Sequence, residues 1–516
     1  QLVRADDVMT RGALTIQADG WRRFQYNPRL DAIAATIPRG TIFDRNGVPL
    51  AASNAGDLWK ARATYAELGV PLTHMKLENG RRMYPFGGRT FHLLGDLRNR
   101  VNWAASNTSY IERDSRIRLQ GYDDYAAVVE VRQPDGTMSE LVREDFRELI
   151  PLLRHRYQLE HPRVKHILER PRDVRTSIDI RLQLAAEQIL ERYARQVGRG
   201  AGAAAVVMDP ATGDLLASAG YPWPGELPVR DAEEAAPALI DRARYGIYPP
   251  GSTFKIVTAM AALRKDQGLA RQTYECTALP DGRVGNRVRG WGRPIRDDVT
   301  DRVPHGTVDM QKGIRVSCNA YFAQLATYAV QAQALHETAD LLGIKVARPN
   351  TPEQLKDALP QAGYGQGQVV ATPFQMARVA ATVANDGAMP EGRWVTDASN
   401  TRTAEPVRIL AGMPEGFIAR SMREVVTAGT ARQLSGVEPA IAGKTGTAEV
   451  QGKPSHSWFI GYAPYGAATQ AREAQDGKGK RIAFAVIIEN GGYGGRAAAL
   501  AAGEIVRKAA ELGLVE

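Results

Sequence analysis

The chain has 516 residues, more than one ordinary domain holds, so we expect at least two domains. Hydrophobic residues make up 44% and charged residues 24% of the sequence, which is the composition of a globular protein. The net charge of +9 is compatible with binding to nucleic acid, to an anionic membrane surface or to a polyanionic polymer, or with solubility alone. Nucleic acid is the least favoured partner, because the sequence has no dense basic block with interleaved aromatic residues.

Residues 1–170 differ from the rest of the chain, because they are rich in Arg, Asp and turn signals. The stretch Ile42–Ser53 predicts two strands joined by an Asn-Gly turn. The stretch Tyr125–Val142 predicts a hairpin closed at a Pro-Asp-Gly turn. Residues 143–158 predict a short helix around a proline. We therefore expect an extended α+β domain with a modest core.

Residues 171–516 predict a second domain. A helix with apolar residues at helical spacing follows Ser177 or Asp179, either of which could cap it. Two apolar runs joined by a polar turn within 203–222 are typical of a buried hairpin. Three more strand candidates lie within 443–450, 455–464 and 481–491, and the intervening part of the chain is mostly helical in pattern, including 253–266 and 372–386. This order predicts one antiparallel sheet of about five strands with helices on both faces.

The chain has two cysteines, Cys276 and Cys318, too few for a disulfide scaffold. One bridge between them is chemically possible, but two free thiols are the favoured expectation. No Cys-x-x-Cys pair or His/Cys cluster in the sequence indicates a zinc site. No apolar run reaches roughly eighteen residues and no signal peptide is visible. Because the chain starts at Gln1, we expect a trimmed chain whose membrane anchor lies upstream of residue 1.

The stretch Tyr248–Met260 places Ser252 three residues before Lys255, directly after Pro-Pro-Gly. Residues at i and i+3 share one helix face, so the lysine amine can reach the serine hydroxyl. A serine nucleophile needs a base, and a lysine serves only when burial or a neighbouring cation lowers its pKa. The alternative interpretation is a capping serine beside a lysine whose amine extends to solvent.

Two later stretches have their own alternatives. Ser317 and Asn319 stand two residues apart before an amphipathic helix, a pattern that a helix cap also produces. Residues 444–447 (Lys-Thr-Gly-Thr) open a predicted strand, where Gly446 would let another backbone approach closely. A phosphate loop is the competing interpretation, but six residues rather than the required four separate the two preceding glycines.

Ser-x-x-Lys, then Ser-x-Asn, then Lys-Thr-Gly is the signature set of penicillin-binding proteins and serine β-lactamases. The chain resembles class B penicillin-binding proteins, the monofunctional transpeptidases, in five further stretches: Pro38–Ala51, Arg81–Gly95, Thr176–Gln183, 363–377 and 455–464. Residues 107–125 depart from the family's usual Gly-x-x-Gly-Leu-Glu pattern. The resemblance implies a multidomain α+β protein, with a penicillin-binding, β-lactamase-like transpeptidase domain over 171–516 on an N-terminal pedestal or dimerisation-like domain over 1–170.

The resemblance also implies the catalytic roles. Ser252 would attack the carbonyl of a D-Ala-D-Ala peptide bond and form an acyl-enzyme, and Lys255 would take its proton. Ser317, close to Lys444, would relay a proton to the leaving D-Ala amine. Asn319 would hydrogen-bond the substrate amide and help position the lysine base.

The remaining implied roles concern binding. Thr445 and Thr447, flanking Gly446, would bind the terminal carboxylate or its β-lactam counterpart. The backbone N–H groups of Ser252 and Thr447 would form the oxyanion hole, where donors must face charge that develops in the transition state. An amine from a second stem peptide would then resolve the acyl-enzyme and cross-link peptidoglycan, without ATP, metal or another cofactor.

Two alternatives to this function stay open. A D,D-carboxypeptidase or serine β-lactamase shares the three motifs, but no Glu-x-x-Leu-Asn follows Asn319, and a small hydrolase would leave residues 1–170 unexplained. A non-catalytic cell-wall scaffold is the second. The implied partners are peptidoglycan stem peptides, β-lactams and a polytopic glycan-polymerising membrane protein, with no nucleic acid. The implied location is extracytoplasmic, in the periplasm or at the outer face of the plasma membrane.

Overall fold

The computed structural model describes residues 10–75, 77, 80–95, 110–122, 125, 127–198, 200–225, 232–396, 405–410, 416–466 and 480–516. The chain divides into two compact units, one of residues 1–176, 224–235 and 395–398, and the other of 177–223, 236–394 and 399–516. In the described part of the chain, no helix has both the length and the apolarity that crossing a membrane requires. The pedestal role of residues 1–170 stays a prediction.

The first unit contains three small sheets in its described part. Their strands are Ala13–Ile16 with Arg22–Gln25, Pro49–Ala51 with Ile42–Phe43 and Val174–Arg175, and Ala127–Arg132 with Met138–Arg143. Its α-helices are Pro28–Thr36, Ala55–Lys60, Arg62–Glu67, Phe91–Leu94, Ile111–Asp114, Arg116–Gln120, Ile150–Arg154 and Pro162–Leu168, and its 3-10 turns are Leu72–His74, Gly87–Thr90 and Phe146–Leu149.

The local predictions for this unit are confirmed. In the Asn-Gly turn, Asp44 Oδ1 accepts hydrogen bonds from the N–H groups of Asn46 and Val48, both at 2.8 Å. The Pro-Asp-Gly turn closes its hairpin with Gly136 at φ +88°, a left-handed conformation that glycine adopts without strain. The predicted helix around a proline forms, with Pro151 in its first turn. Residues 107–109, 123 and 124 of the departing stretch lie outside the described residues.

A five-stranded antiparallel sheet forms the centre of the second unit. Its strands are β1 (Ala203–Met208), β2 (Leu215–Tyr221), β3 (Ala442–Val450), β4 (Lys453–Ala463) and β5 (Ile482–Ile488). Their order is β3-β4-β5-β1-β2, so the strand with the Lys-Thr-Gly motif lies at an edge. Every residue of β1 and β5 is buried, as continuous apolar runs predict for strands covered on both faces. The predicted five-stranded sheet is confirmed.

Helices cover this sheet. Ile180–Val197 and Ala498–Glu511 contact each other and the sheet, while Pro373–Ala384 contacts β1, β4 and β5. Asp179 rather than Ser177 caps the first of these helices, because its Oδ1 accepts the N–H of Arg181 at 3.0 Å. The other helices along this part of the chain are Ala232–Leu239, Lys255–Lys265, Met310–Arg315, Asn319–Gln324, Gln331–Leu341, Pro352–Lys356, Leu359–Ala362 and Phe417–Thr427, with a π-helical turn at Leu325–Val330 and 3-10 turns at Gly251–Phe254, Gln267–Arg271 and Arg432–Leu434.

A second, four-stranded sheet was not predicted. In spatial order its strands are Ile295–Arg296, Val284–Asn286, Tyr274–Ala278 and Gly306–Val308; a separate pair joins Ala388–Met389 to Val407–Arg408. The expectation of mostly helical structure between the early and late strands is therefore wrong over residues 274–308. These strands have only two to five residues, too few to show the alternation by which a strand is recognised in sequence.

Candidate active site

The Ser-x-x-Lys motif lies at the start of a buried helix. Ser252 is in the 3-10 turn Gly251–Phe254, and Lys255 is the first residue of the helix that follows. Apolar helix neighbours bury Lys255 completely. A completely buried amine must be held by polar partners or lose its charge, so this lysine is either paired or used in chemistry.

The amine of Lys255 contacts the Ser-x-Asn motif. Lys255 Nζ donates a hydrogen bond to Asn319 Oδ1 at 2.7 Å, lies 3.1 Å from Ser317 Oγ, and also contacts the Ser317 carbonyl oxygen. In the described part of the chain, no hydrogen bond joins Lys255 to the Ser252 hydroxyl. Hydrogen bonds to a catalytic base often tighten only when substrate binds. The lysine is therefore held beside the predicted nucleophile by the second motif.

The second lysine approaches the same hydroxyl from the sheet. Lys444 on β3 donates through Nζ to Ser317 Oγ at 2.8 Å and to the carbonyl of Thr445 at 2.8 Å. Ser317 has φ +60°, a left-handed conformation that is uncommon outside glycine and is found at functional sites. Its hydroxyl thus lies between the two buried amines, where it can pass a proton between them.

Burial lowers the pKa of both amines. The pKa of Lys255 falls to about 8, because burial outweighs the opposing effect of the Asp297 carboxylate. Burial also lowers the pKa of Lys444 well below its usual value, and the neighbouring charge of Lys255 lowers it further. Two amines this close favour a state in which they share one positive charge. A pKa of about 8 leaves a fraction of Lys255 neutral near pH 7, far more than for an ordinary lysine, and the neutral form is the one that a general base requires.

Two glycines allow β3 to approach the Ser252 turn. A Cβ at Gly446 would lie 2.8 Å from Thr253 Cγ2 and 3.0 Å from the carbonyl oxygen of Pro250. A Cβ at Gly251 would lie 2.6 Å from the Thr447 carbonyl oxygen, and its φ is +54°. Only glycine fits at both places. The close approach brings Thr447 beside the Ser252 turn.

The threonines of the third motif have separate contacts. The hydroxyl of Thr445 is 2.5 Å from that of Thr430, and the Thr447 Oγ1 accepts a long hydrogen bond from the N–H of Gly494 at 3.4 Å. Because β3 is an edge strand of the sheet, part of its backbone is available to pair with an extended peptide.

A cluster of potential metal ligands, which no spacing in the sequence indicates, lies directly behind the Ser-x-Asn motif. One ligand atom from each of Cys276, Asp297, His305 and Cys318 lies within 4.8 Å of the other three. Both thiols point at Asp297 Oδ2, at 3.1 Å and 3.2 Å, and His305 Nδ1 is 3.2 Å from the same oxygen. The sequence had indicated no His/Cys cluster, and that expectation is wrong. The two cysteines are free thiols, as predicted.

The other oxygen of Asp297 connects this cluster to the active site. Asp297 Oδ1 accepts the backbone N–H groups of Asn319 and, at 3.0 Å, Ala320. Burial raises the pKa of Asp297, but the hydrogen bond from His305 and the charge of Lys255 outweigh it and lower this pKa overall. The carboxylate is therefore charged and orients the helix that begins at Asn319.

A second contact that the sequence did not reveal joins the two sides of the site. Tyr493, in the loop after β5, donates its hydroxyl to Asp298 Oδ1 at 2.8 Å. The next residue, Gly494, lies against the backbone of Gly446. The loop after β5 therefore contacts both the Lys-Thr-Gly strand and the segment behind the Ser-x-Asn motif.

Comparison with known proteins identifies this arrangement. The family model described as "Penicillin binding protein transpeptidase domain" matches residues 203–510, well over half of the chain. The chain belongs to this family. A relative of this penicillin-binding protein, the peptidoglycan D,D-transpeptidase PbpA of Mycolicibacterium smegmatis, is 31% identical over 361 residues, which cover 62% of this chain and 68% of that protein. The peptidoglycan D,D-transpeptidase MrdA of Acinetobacter baumannii is 29% identical over 388 residues, covering 64% of this chain and 53% of that protein.

Solved structures of penicillin-binding proteins share the fold. Penicillin-binding protein A from M. tuberculosis, described as a ceftriaxone acyl-enzyme complex, has a TM-score of 0.65 at 24% identity and covers 93% of this chain and 99% of its own. Pseudomonas aeruginosa PBP2 in complex with WCK 5153 has a TM-score of 0.65 at 23% identity, and the match covers 93% of this chain and 98% of the PBP2 chain. These likenesses confirm the predicted α+β penicillin-binding fold.

The pH dependence of acylation follows from the pKa of Lys255. We expect the rate of acylation by penicillin to rise about tenfold per pH unit below pH 8 and to level off above it, because only the neutral amine can accept the serine proton. Stopped-flow measurement with a fluorescent penicillin between pH 6 and 10 checks this. A flat profile from pH 6 to 9, or a midpoint near that of free lysine, would contradict the assignment of Lys255 as the base.

Proposed function

We propose that this protein is a peptidoglycan D,D-transpeptidase that cross-links stem peptides through an acyl-enzyme on Ser252. The observation that carries the proposal is the placement of two buried lysines with lowered pKa on one serine hydroxyl, beside the Ser252 turn. The names of the similar proteins, both peptidoglycan D,D-transpeptidases, support the same reaction. The resemblance to class B penicillin-binding proteins supports a monofunctional enzyme.

Acylation is the first step of the proposed mechanism. Ser252 Oγ attacks the carbonyl carbon of the D-Ala-D-Ala bond as neutral Lys255 accepts the hydroxyl proton. The backbone N–H groups of Ser252 and Thr447 stabilise the negative charge that develops on the carbonyl oxygen; the close approach of Gly251 to the Thr447 carbonyl supports this assignment. The terminal carboxylate of the substrate binds the hydroxyls of Thr445 and Thr447.

The leaving group then needs a proton. Ser317 Oγ lies within hydrogen-bond distance of both amines, so it can donate its proton to the departing D-Ala nitrogen and regain one from a lysine. Asn319 holds Lys255 through its Oδ1 and orients the substrate amide. An amine from a second stem peptide attacks the ester carbonyl in the same way, and Ser252 leaves with the proton restored.

A partition experiment tests the reaction type. Purified protein is given a donor peptide ending in D-Ala-D-Ala with and without an amine acceptor, and the cross-linked and hydrolysed products are separated by mass spectrometry. A transpeptidase forms mainly the aminolysis product, because its acyl-enzyme waits for an amine. Predominant hydrolysis of the peptide would favour the carboxypeptidase alternative. Absence of any turnover would favour the non-catalytic scaffold.

Location and partner form a separate part of the proposal. We infer that the enzyme works outside the cytoplasm, where peptidoglycan is cross-linked, and beside a polytopic glycan-polymerising protein. A solved structure described as structural coordination of polymerization and crosslinking by a peptidoglycan synthase complex supports such a partner, at a TM-score of 0.60. Cross-linking in cells expressing the native gene, followed by identification of the attached membrane protein, tests it; a cytoplasmic pool alone would contradict it.

We further propose that Cys276, Asp297, His305 and Cys318 hold a zinc ion. Two thiols, one imidazole and one carboxylate are the donor types of structural zinc sites, whose ligand atoms lie roughly 3.3–3.8 Å apart around the tetrahedral ion. Four of the six pairs of ligand atoms are 3.1–3.5 Å apart and all lie within 4.8 Å, which is close to that arrangement. Bound zinc would supply a rigid link between four chain segments. The Asp297 carboxylate itself orients the start of the Asn319 helix, because it accepts the backbone N–H groups of Asn319 and Ala320.

Zinc content provides the test of this site. We expect about one zinc per chain by elemental analysis, and a loss of most of it in Cys276→Ala and in His305→Ala, with a lower melting temperature in both. The exposed His166→Ala in the first unit is the matched control and should keep its zinc. Wild-type protein that carries no zinc after expression and purification with the metal supplied would contradict the proposal.

A further inference from the structure

A hairpin beside the active site carries an unusual concentration of positive charge. The strands Val284–Asn286 and Ile295–Arg296 pair antiparallel, and residues 287–294 (Arg-Val-Arg-Gly-Trp-Gly-Arg-Pro) connect them. We call residues 287–294 the arginine loop. From 282 to 296 the chain has five arginines and no acidic residue. The proposed mechanism leaves this charge unused.

The apolar side of the arginine loop anchors it next to the catalytic motifs. Val288 and Ile295 are buried against Ala323, which belongs to the helix that begins at Asn319. Trp291 and Tyr364 pack on the same cluster. The backbone of the loop is also held, since the N–H of Arg289 donates to the Tyr328 hydroxyl at 2.7 Å.

Two contacts tie this region to the reacting residues. Asn319 Nδ2 donates to the carbonyl of Arg296 at 2.9 Å. Gly365, which follows Tyr364, packs so closely on the Ser252 turn that a Cβ there would lie 2.1 Å from the Gly251 carbonyl oxygen. The arginine loop therefore borders the segments that carry Ser252 and Asn319.

The charges of the loop are uncompensated. Arg287, Arg289 and Arg293 are exposed, and none of their guanidinium groups has an ion-pair or hydrogen-bond partner among the residues that the structure describes. The acidic residues adjacent in sequence have partners of their own: Asp281 pairs with Arg296 at 2.7 Å, Asp297 lies in the thiol cluster, Asp298 accepts the Tyr493 hydroxyl and Asp301 is 3.8 Å from His305.

We propose that the arginine loop binds the carboxylates of an acidic peptide substrate as it enters the active site. A guanidinium group presents a planar pair of donors that matches a carboxylate, and Trp291 offers an apolar surface beside it. The proposal rests on the transpeptidase function and adds to it a specificity for acidic stem peptides. Three exposed charges act mainly on substrate affinity, so the effect belongs in KM.

A charge-reversal variant tests this role. The full chain with Arg287→Glu, Arg289→Glu and Arg293→Glu is compared with wild type on two peptides ending in D-Ala-D-Ala, one carrying two glutamates upstream and the other two glutamines. We expect the KM of the glutamate peptide to rise about tenfold with kcat little changed, and the KM of the glutamine peptide to stay within about twofold. The wild-type preference for the glutamate peptide should shrink as salt is added.

Matched variants separate charge from folding. Arg271→Glu, Lys356→Glu and Arg507→Glu together make the same change of charge at exposed positions on other elements, and should leave both KM values as in wild type. Replacement of the three loop arginines by lysine keeps the positive charge, so this variant should keep part of the wild-type preference for the glutamate peptide. Replacement by glutamine should remove that preference without repelling the peptide.

Several outcomes would overturn the proposal. Equal changes for both peptides, or none, would mean that the loop does not recognise carboxylates. Loss of penicillin acylation in the glutamine variant would mean that the loop supports the fold of the site. Lower binding to vesicles containing phosphatidylglycerol, with normal peptide kinetics, would assign the loop to a membrane surface. Wild-type protein that is acylated by penicillin but turns over neither peptide would instead contradict the transpeptidase function itself.

Discussion

Replacing Ser252 with alanine should abolish the covalent adduct that this protein forms with a penicillin. Wild-type protein should gain the mass of one opened β-lactam, on a peptide that contains Ser252, and the adduct should last for minutes or longer because the site waits for an amine. The variant should show no adduct, a loss of at least about a thousandfold in acylation rate. Since Ser252 caps no helix in the structure, the melting temperature should barely change.

The control for this experiment is Ser435→Ala, a change at an exposed serine of the same unit, which should be acylated like wild type. An adduct that persists in Ser252→Ala, or that maps to Ser317 or Cys318, would contradict the proposed mechanism. Rapid release of opened penicillin by the wild-type protein would favour the β-lactamase alternative.

Replacing Lys255 with arginine should lower acylation by about a thousandfold, the range in which loss of a general base falls. Arginine keeps the positive charge but stays protonated at any pH the enzyme tolerates, so it cannot accept the Ser252 proton. Acylation of the variant, measured with a fluorescent penicillin, should also lose its rise toward pH 8. Because Lys255 is completely buried, Lys255→Met serves as a second variant of similar size and without charge.

Lys265→Arg on the same helix is the matched control, because Lys265 is exposed and its amine donates to the carbonyls of Ala329 and Val330 and to Gln331 Oε1, away from the catalytic motifs. Its acylation rate should equal that of wild type. If Lys255→Arg or Lys255→Met, folded by its melting curve, is acylated within about tenfold of wild type, then another group removes the serine proton. Lys444 would then be the next candidate for the base, with the Ser317 hydroxyl passing the proton to it.

The sequence alone was sufficient for the central sheet and for the identity of the catalytic motifs. The strands β1 and β5 are continuous apolar runs, whose burial on both faces is a local property of their residues. The helix that begins after Asp179 was predicted to within two residues, because a capping side chain bonds to an N–H group only two positions away; the structure chose Asp179 over Ser177. The order of Ser-x-x-Lys, Ser-x-Asn and Lys-Thr-Gly identified the family because three motifs together are specific.

Only the tertiary structure showed how these residues act together. Cys276, Asp297, His305 and Cys318 are spread over more than forty residues with no metal-binding spacing, and a sheet of very short strands brings them to one point. The same sheet places the arginine loop beside Asn319. Contacts between segments distant in sequence leave no periodic signal in the chain, because short polar strands are stabilised by the neighbours against which they pack and not by their own pattern.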